Sequence, residues 1–156
     1  MSRDRLVGRR LPTYTFVVEA GKVAEFAAAV LADDPVHFDA GAAAETGYDG
    51  VVAPPTFSAA AQSWGRPAGD GGLELDLRRV LAGGAEWEYR APIVAGDTLT
   101  VTGEIVSVER KSGRRGGMTL ITRENRFVNQ RDDLALVVRS TLIELDDAPA
   151  DKGDEA

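Results

Sequence analysis

The centre of the chain contains the run Val51-Val52-Ala53-Pro54-Pro55-Thr56-Phe57. A residue that precedes proline is sterically excluded from the helical region, so we expect this run to be extended. From Pro55 or Thr56 to Trp64 the chain lacks helix breakers and is rich in alanine. This composition predicts a helix that begins at Pro55 or Thr56, and the alanines at positions 59–61 would let a sheet approach it closely.

The segment before this run is predicted to hold one strand and two helices. Residues 11–18 are good strand formers. Apolar side chains then recur with helical spacing over residues 23–31, which predicts a helix that ends near Ala32. Asp39 can accept a hydrogen bond from a free amide at the start of a second helix, which we expect over residues 40–46.

The segment after this run is predicted to be a glycine-rich loop followed by strands. The strands are expected at residues 79–89, 98–105, 118–128 and 135–145, the third with a possible bulge. Near its start the last strand has apolar residues at both odd and even positions, as in an interior strand that is covered on two faces. Strand, helices and then long antiparallel strands in a meander predict an α+β domain with helices on one face of a sheet. The loop covers residues 65–72.

The composition predicts one domain with an acidic end. The 156 residues fit one domain, which we place at residues 1–145. The net charge is −7, and residues 146–156 contribute five acidic side chains and one lysine to it. This short acidic segment is predicted to be a disordered tail.

The same composition argues against several classes of function. The chain has no cysteine and one histidine, so we expect no disulfide, no thiolate chemistry and no metal centre. A chain with this acidic balance lacks the basic face that nucleic-acid binding needs. It has no apolar run near the ~20 residues of a membrane span and no signal peptide, so we expect a cytoplasmic protein.

Three motifs in the first half of the chain occur in the order found in a known family. They are Asp33-Asp34-Pro35-Val36-His37-Phe38-Asp39, Ala42-Ala43-Ala44-Glu45-Thr46-Gly47-Tyr48 and Val52-Ala53-Pro54-Pro55-Thr56-Phe57. Residues 91–97 and 125–130 agree in the same order. The chain resembles the N-terminal MaoC-like dehydratase family, which includes the non-catalytic partner subunits of actinobacterial (3R)-hydroxyacyl-ACP dehydratases. The resemblance implies a hotdog fold, in which a curved antiparallel sheet wraps around a central helix.

The resemblance also implies a candidate catalytic pair. The family assigns hydration of an enoyl thioester to an Asp and a His in an Asp-x-Asn-Pro-x-His stretch. Pro35 and His37 match that stretch, whereas Ala32 occupies the carboxylate position and Asp34 the asparagine position. The resemblance therefore implies His37 as the acid–base residue and Asp33 or Asp34 as its partner. The alternative is structural, with a loop histidine bonded to the backbone and two aspartates that form a turn.

A hydratase must also stabilise negative charge on the thioester oxygen with hydrogen-bond donors. The resemblance places the family's oxyanion-binding turn at the start of the predicted third helix, where backbone amides and the helix dipole are available. Pro55 has no N–H group, so Thr56 and Phe57 would supply the donors. Every helix start offers such amides, so a purely structural role stays open.

A cluster of basic residues lies at a predicted hairpin tip near residues 110–117. Its members are Arg110, Lys111, Arg114 and Arg115. Such a cluster could attract the phosphates of coenzyme A or the acidic surface of an acyl carrier protein. A solvated turn with no ligand is the alternative.

Three functions follow from this interpretation. The first is a (3R)-hydroxyacyl-thioester dehydratase or enoyl hydratase that acts on acyl-CoA or acyl-ACP without a further cofactor. The second is a non-catalytic subunit that binds the acyl chain beside a catalytic hotdog chain, and Ala32 is the residue that favours it. The third is a thioesterase, because one fold supports several chemistries. In each case we expect a homodimer or a heterodimer, because a single sheet leaves an edge strand unpaired.

Overall fold

The computed structural model describes residues 3–65, 69, 73–113 and 116–146. The helices within these residues are α1 (Ala20–Ala29), α2 (Ala40–Glu45) and α3 (Ala61–Trp64). The strands are β1 (Arg10–Val17), β2 (Val80–Tyr89), β3 (Thr98–Gly113), β4 (Gly116–Val128) and β5 (Leu134–Leu145). Short 3₁₀ turns lie at Arg3–Leu6, Pro35–His37, Phe57–Ala60 and Leu77–Arg79.

The five strands form one antiparallel sheet in the order β1-β3-β4-β5-β2. The prediction of an α+β domain is confirmed, and so is the interior position of β5, which lies between β4 and β2. The predicted meander holds for β3, β4 and β5 but is wrong for β2, which pairs with β5 and not with β3. After β2 the chain crosses the end of the sheet through Val94, which forms a bridge with Val52 before β3 begins.

The β3–β4 hairpin is longer than predicted. β3 runs to Gly113 and β4 starts at Gly116, so Arg110 and Lys111 lie in a paired strand and not in a turn. The predicted bulge in β4 corresponds to a register shift at Phe127/Val128, and a second shift lies at Ile105/Ser107 on β3.

The helices confirm the predicted order but not all of the predicted ends. α2 is confirmed, with the carboxylate of Asp39 accepting the Ala42 N–H at 2.8 Å. α1 ends three residues before the predicted Ala32, and Leu31 beyond it is left-handed at φ 59°. The third helix begins later than Pro55 or Thr56, because Thr56 is also left-handed at φ 70° and the chain continues as a 3₁₀ turn. Of the three alanines at positions 59–61, only Ala61 is buried.

An aromatic cluster fixes the segment that carries α3 to the sheet. The Phe57 ring is almost completely buried and lies 5.7 Å from Phe16, 5.5 Å from Phe26 and 5.8 Å from Trp64, measured between ring centroids. These rings pack on one face of the sheet, with Val101 and Leu136 among the strand residues below them. We call this the inner face. Aromatic contacts of this kind bury large areas, so they fix where the Pro-Pro segment lies.

Two predictions lie partly or wholly outside the described residues. The predicted loop at residues 65–72 is described only at positions 65 and 69, and the predicted tail only at Asp146. Asp146 donates its N–H to Gly117 and accepts a hydrogen bond from Arg110, so the described end of the chain is attached to the β3–β4 hairpin. Within the described residues no helix is both long and apolar enough to cross a membrane.

Candidate functional site

His37 is held by a 3₁₀ turn that docks on the extended Pro-Pro segment. Asp34 begins the turn, since its carboxylate accepts the Val36 N–H at 3.1 Å, and Pro35 fits the first position because its missing N–H would be unpaired there. The Val52 N–H then donates to the Val36 carbonyl at 2.9 Å. The turn and the extended segment therefore position the histidine together.

The His37 ring is half-buried and hydrogen-bonded to the backbone. Its Nδ1 lies 2.7 Å from the Val52 carbonyl oxygen. A carbonyl oxygen only accepts, so Nδ1 carries the proton and Nε2 of the neutral ring is left as an acceptor. The backbone hydrogen bond of the structural alternative is therefore present, and the same bond orients the ring for chemistry at Nε2.

The His37 cleft is an open groove of about 500 Å³ beside this ring. One wall is the extended segment, which is paired to the chain before β3 by the Ala53 N–H donating to Ile93 at 2.8 Å. The lining is mostly apolar with a few polar groups: Asp34, Val36, His37, Tyr48, Val52, Ala53, Pro55, Tyr89, Arg90, Ala91, Pro92 and Ile93. A groove of this size and composition suits a small apolar ligand with a polar end.

In the part of the chain that the structure describes, neither candidate carboxylate is bonded to His37. Asp33 is exposed and lies outside the residues that line the cleft, and Asp34 lines it but is engaged as the cap of the turn. Among the described residues, His37 has no ion pair with either carboxylate. In the same described part of the chain, no three His, Cys, Asp or Glu side chains come together as metal ligands.

The expected oxyanion donors have partners within the chain. The Thr56 N–H donates to the Tyr89 hydroxyl at 3.2 Å, and the Phe57 N–H donates to the Pro54 carbonyl at 3.1 Å. Pro55 lines the cleft without an N–H to offer. The left-handed conformation at Thr56 turns the chain at this point, so neither amide is unpaired as it would be at the start of a regular helix.

Tyr89 is a site residue that the sequence analysis did not select. It lies at the end of β2, lines the His37 cleft and accepts the Thr56 N–H through its hydroxyl. Burial raises the pKa of Tyr89, opposed by the Thr56 hydrogen bond, so the phenol is neutral near pH 7 and its O–H can donate into the cleft. The sequence signal was an aromatic residue at the end of a predicted strand, directly before residues 91–97, which carry part of the family resemblance.

The two described residues of the predicted phosphate-binding cluster, Arg110 and Lys111, lie far from the His37 cleft. Arg110 pairs with Asp146 at 2.7 Å and Lys111 with Glu109 at 3.7 Å, while Arg114 and Arg115 lie outside the described residues. The strand register aligns Arg110 with the first residue of β2, whereas Tyr89 is the last. At ~3.3 Å per residue this separates the two sites by roughly 30 Å, so they do not form one compact site.

Sequence comparison places the chain among bacterial relatives. Residues 5–138 match the model described as the FAS1-like, dehydratase domain region. A UPF0336 protein of Leifsonia xyli is 33% identical over 134 residues, which cover 85% of this chain and 87% of that protein. A UPF0336 protein of Saccharopolyspora erythraea is 33% identical over 153 residues, which cover 96% of each.

Comparison with solved structures agrees with the sequence comparison. A chain of the HadBC (3R-hydroxyacyl-ACP dehydratase) complex from Mycobacterium tuberculosis aligns with a TM-score of 0.73 at 27% identity, covering 88% of this chain and 96% of that one. A MaoC-like dehydratase aligns with a TM-score of 0.74 at 28% identity, covering 92% of this chain and 43% of that one. The hotdog prediction is thereby confirmed. This chain belongs to the FAS1-like dehydratase family of hotdog proteins, similar to the MaoC-like dehydratases.

Proposed function

We propose that this chain is the acyl-binding subunit of a two-chain (3R)-hydroxyacyl-thioester dehydratase, and that a second hotdog chain supplies the catalytic Asp–His pair. The observation that carries the proposal is that, among the described residues, no carboxylate is bonded to His37, with Ala32 at the family's carboxylate position. The likeness to a chain of a dehydratase complex supports it.

The lack of a carboxylate bonded to His37 in the described part of the chain matters because hydration of an enoyl thioester needs more than one catalytic group. Addition of water to an enoyl thioester needs a base to activate the water and a proton source for the neighbouring carbon. His37 alone could fill only one of these roles, through Nε2. The two amides expected to stabilise the thioester oxygen are also engaged, by Tyr89 and by Pro54. The chain therefore offers a groove and an oriented histidine but not a full catalytic set.

The groove is suited to holding part of a thioester substrate. Its walls are the extended segment and the chain before β3, and both present apolar side chains. The Tyr89 O–H is one donor that can meet a carbonyl oxygen in the cleft. Binding without chemistry needs only this combination of apolar walls and one placed donor.

An assay of the hydration of a trans-2-enoyl thioester tests the proposal. The reaction is monitored by the loss of the absorbance of the enoyl thioester. The chain is assayed alone and after co-purification with a MaoC-type chain that carries an intact Asp-x-Asn-Pro-x-His motif. We expect no turnover alone and turnover in the complex. His37→Ala in this chain should change the rate of the complex by no more than about twofold, while removing the partner's motif histidine abolishes it.

The orientation of His37 favours a second candidate, a hydratase that works without a partner. Its Nδ1 is fixed by Val52, and among the described residues its Nε2 has no hydrogen-bond partner. Under this alternative the chain alone turns over enoyl thioester, and both His37→Ala and Asp34→Asn lower kcat at least about 100-fold. Turnover by the lone chain that persists in His37→Ala would contradict both candidates, and release of free thiol from a saturated acyl-CoA would indicate a thioesterase.

A further inference from the structure

A second groove lies on the inner face of the sheet, beside the His37 cleft. It has a volume of about 260 Å³ and lies between the 3₁₀ turn that contains Ser58 and the inner face of β2, β4 and β5. Trp87, two residues before Tyr89 on the same face of β2, lines this groove, whereas Tyr89 lines the His37 cleft. We call it the Arg123 groove, after the one cationic residue among those that line it.

The Arg123 side chain lacks an acidic partner on this face. Its Nε donates to the Ser140 hydroxyl at 2.8 Å, and within the described residues no carboxylate is paired with it. Arginine carries five N–H donors and stays charged in proteins, so one neutral hydroxyl leaves most of them unused. Burial lowers the pKa of Arg123, which shows that the surroundings disfavour its charge.

The arginines on the opposite face of the same strands are neutralised. Arg126 lies 3.3 Å from the Glu124 carboxylate, and Arg139 lies 2.9 Å from the same residue and 3.7 Å from Glu88. The outer face thus holds exposed cations with carboxylates beside them. The inner face holds a less exposed cation without one, although burial makes an uncompensated charge more costly there.

The side chains around Arg123 favour a ligand with a planar anionic end and an apolar body. Tyr14 lines the groove, and burial raises the pKa of its phenol against the opposing charge of Arg123, so its O–H is a neutral donor. Phe127, Val138 and Ala59 provide apolar surface in the same groove. A guanidinium forms two parallel hydrogen bonds with a carboxylate, which is the strongest match to this donor set.

We propose that the Arg123 groove is a carboxylate-binding site that takes a short carboxylic acid or the carboxylate end of a dicarboxylic acyl chain. The Arg123 guanidinium and the Tyr14 hydroxyl bind the carboxylate, and the apolar chain lies on Phe127 and Val138. The site goes beyond the proposed dehydratase function, since it requires neither His37 nor a partner chain.

Binding of hexanoate to the purified chain, measured by calorimetry and by tryptophan fluorescence, tests the site. Trp87 lines the groove, and its indole N–H donates to Ser58 at 3.1 Å, so ligand entry should change its emission. We expect hexanoate to bind at least about tenfold more tightly than hexanol, and Arg123→Gln to remove that preference. Arg126→Gln is the matched control, since it removes a cation from the same strand on the other face.

Two thioesters distinguish the two sources of the carboxylate. If the carboxylate belongs to a bound dicarboxylic chain, adipyl-CoA should bind at least about tenfold more tightly than hexanoyl-CoA, and Arg123→Gln should abolish the difference. If Arg123→Gln does not fold, the wild-type chain still tests the proposal. It should bind the ligand with the carboxylate more tightly than its neutral counterpart in at least one of the two pairs, hexanoate with hexanol or adipyl-CoA with hexanoyl-CoA. Equal binding of the charged and the neutral ligand in both pairs overturns the proposal. So does a preference for the charged ligand that Arg126→Gln removes as well.

Discussion

Asp97 shows how one buried carboxylate stabilises the turn that leads into β3. Its side chain is 1% exposed, accepts the Val94 N–H at 3.1 Å and lies 3.6 Å from the Arg131 guanidinium. The Gln130 side chain also donates to it, at 3.3 Å. These contacts hold the residues that bridge to the extended segment, so they support the wall of the His37 cleft.

Asp97→Ala should lower the free energy of unfolding by about 2 kcal/mol, because the Val94 N–H loses its acceptor in a buried place. Urea unfolding followed by circular dichroism measures this. Asp33→Ala is the control, since Asp33 is exposed, and it should change stability by no more than about 0.5 kcal/mol. Equal effects of the two substitutions would contradict this account.

Two tyrosines predict how stability depends on pH. Burial raises the pKa of both Tyr14 and Tyr89 above the ordinary 10.0. The folded state therefore favours the neutral phenols, so their contribution is complete below pH 10 and is lost as pH rises through the folded values. The free energy of unfolding should fall above pH 10. In the double variant Tyr14→Phe/Tyr89→Phe, the free energy of unfolding should fall less steeply with pH. An unchanged slope in that variant would exclude these residues as the cause.

The segment from Pro54 to Trp64 is the element that joins the fold to the site. Its first part lines the His37 cleft and its 3₁₀ turn lines the Arg123 groove. Phe57 lies between these parts and packs on Phe16 and Phe26 from β1 and α1. The position of both grooves therefore depends on how firmly this ring is held.

Phe57→Ala should cost about 3–5 kcal/mol, because it leaves a cavity among three other aromatic rings. Thermal and urea unfolding measure the loss, and Phe57→Leu should recover more than half of it by refilling the space. Leu77→Ala is the control, since Leu77 is 79% exposed and should have an effect within about 0.5 kcal/mol. A loss below about 1 kcal/mol in Phe57→Ala would show that the segment is held in another way.

At the scale of the whole molecule, the described part of the sheet has two unpaired edges, β1 and β2. Both edge strands contain a register shift, between Leu11 and Tyr14 in β1 and between Ala82 and Gly84 in β2, but β1 also contains Pro12, which lacks an N–H for pairing with another strand. β2 is ten residues long without proline, and Leu81 on it is 52% exposed. β2 is therefore the edge that we expect to pair with a second hotdog chain.

Leu81→Lys should weaken association at least about tenfold, because it places a charge on an apolar edge. Analytical ultracentrifugation of the chain, alone and with a MaoC-type chain as the proposed partner, measures this. Val17→Lys on β1 is the matched control, since Val17 is 48% exposed on the other edge strand and should leave association unchanged. A chain that stays monomeric at high concentration and does not bind the partner would contradict the assignment of β2.

The sequence by itself determined the order of the elements, the interior place of β5 and the cap of α2, because these follow from alternation, helical spacing and the turn chemistry of single residues such as Asp39. It also located His37 in the turn that lines the cleft. Only the tertiary structure decided that Thr56 is left-handed, that Tyr89 takes the amide expected for the oxyanion, and that Arg123 faces inward and donates to Ser140. These facts arise from contacts between residues far apart in the chain, and no local sequence pattern encodes such contacts. Thr56 and Tyr89, for example, are 33 positions apart.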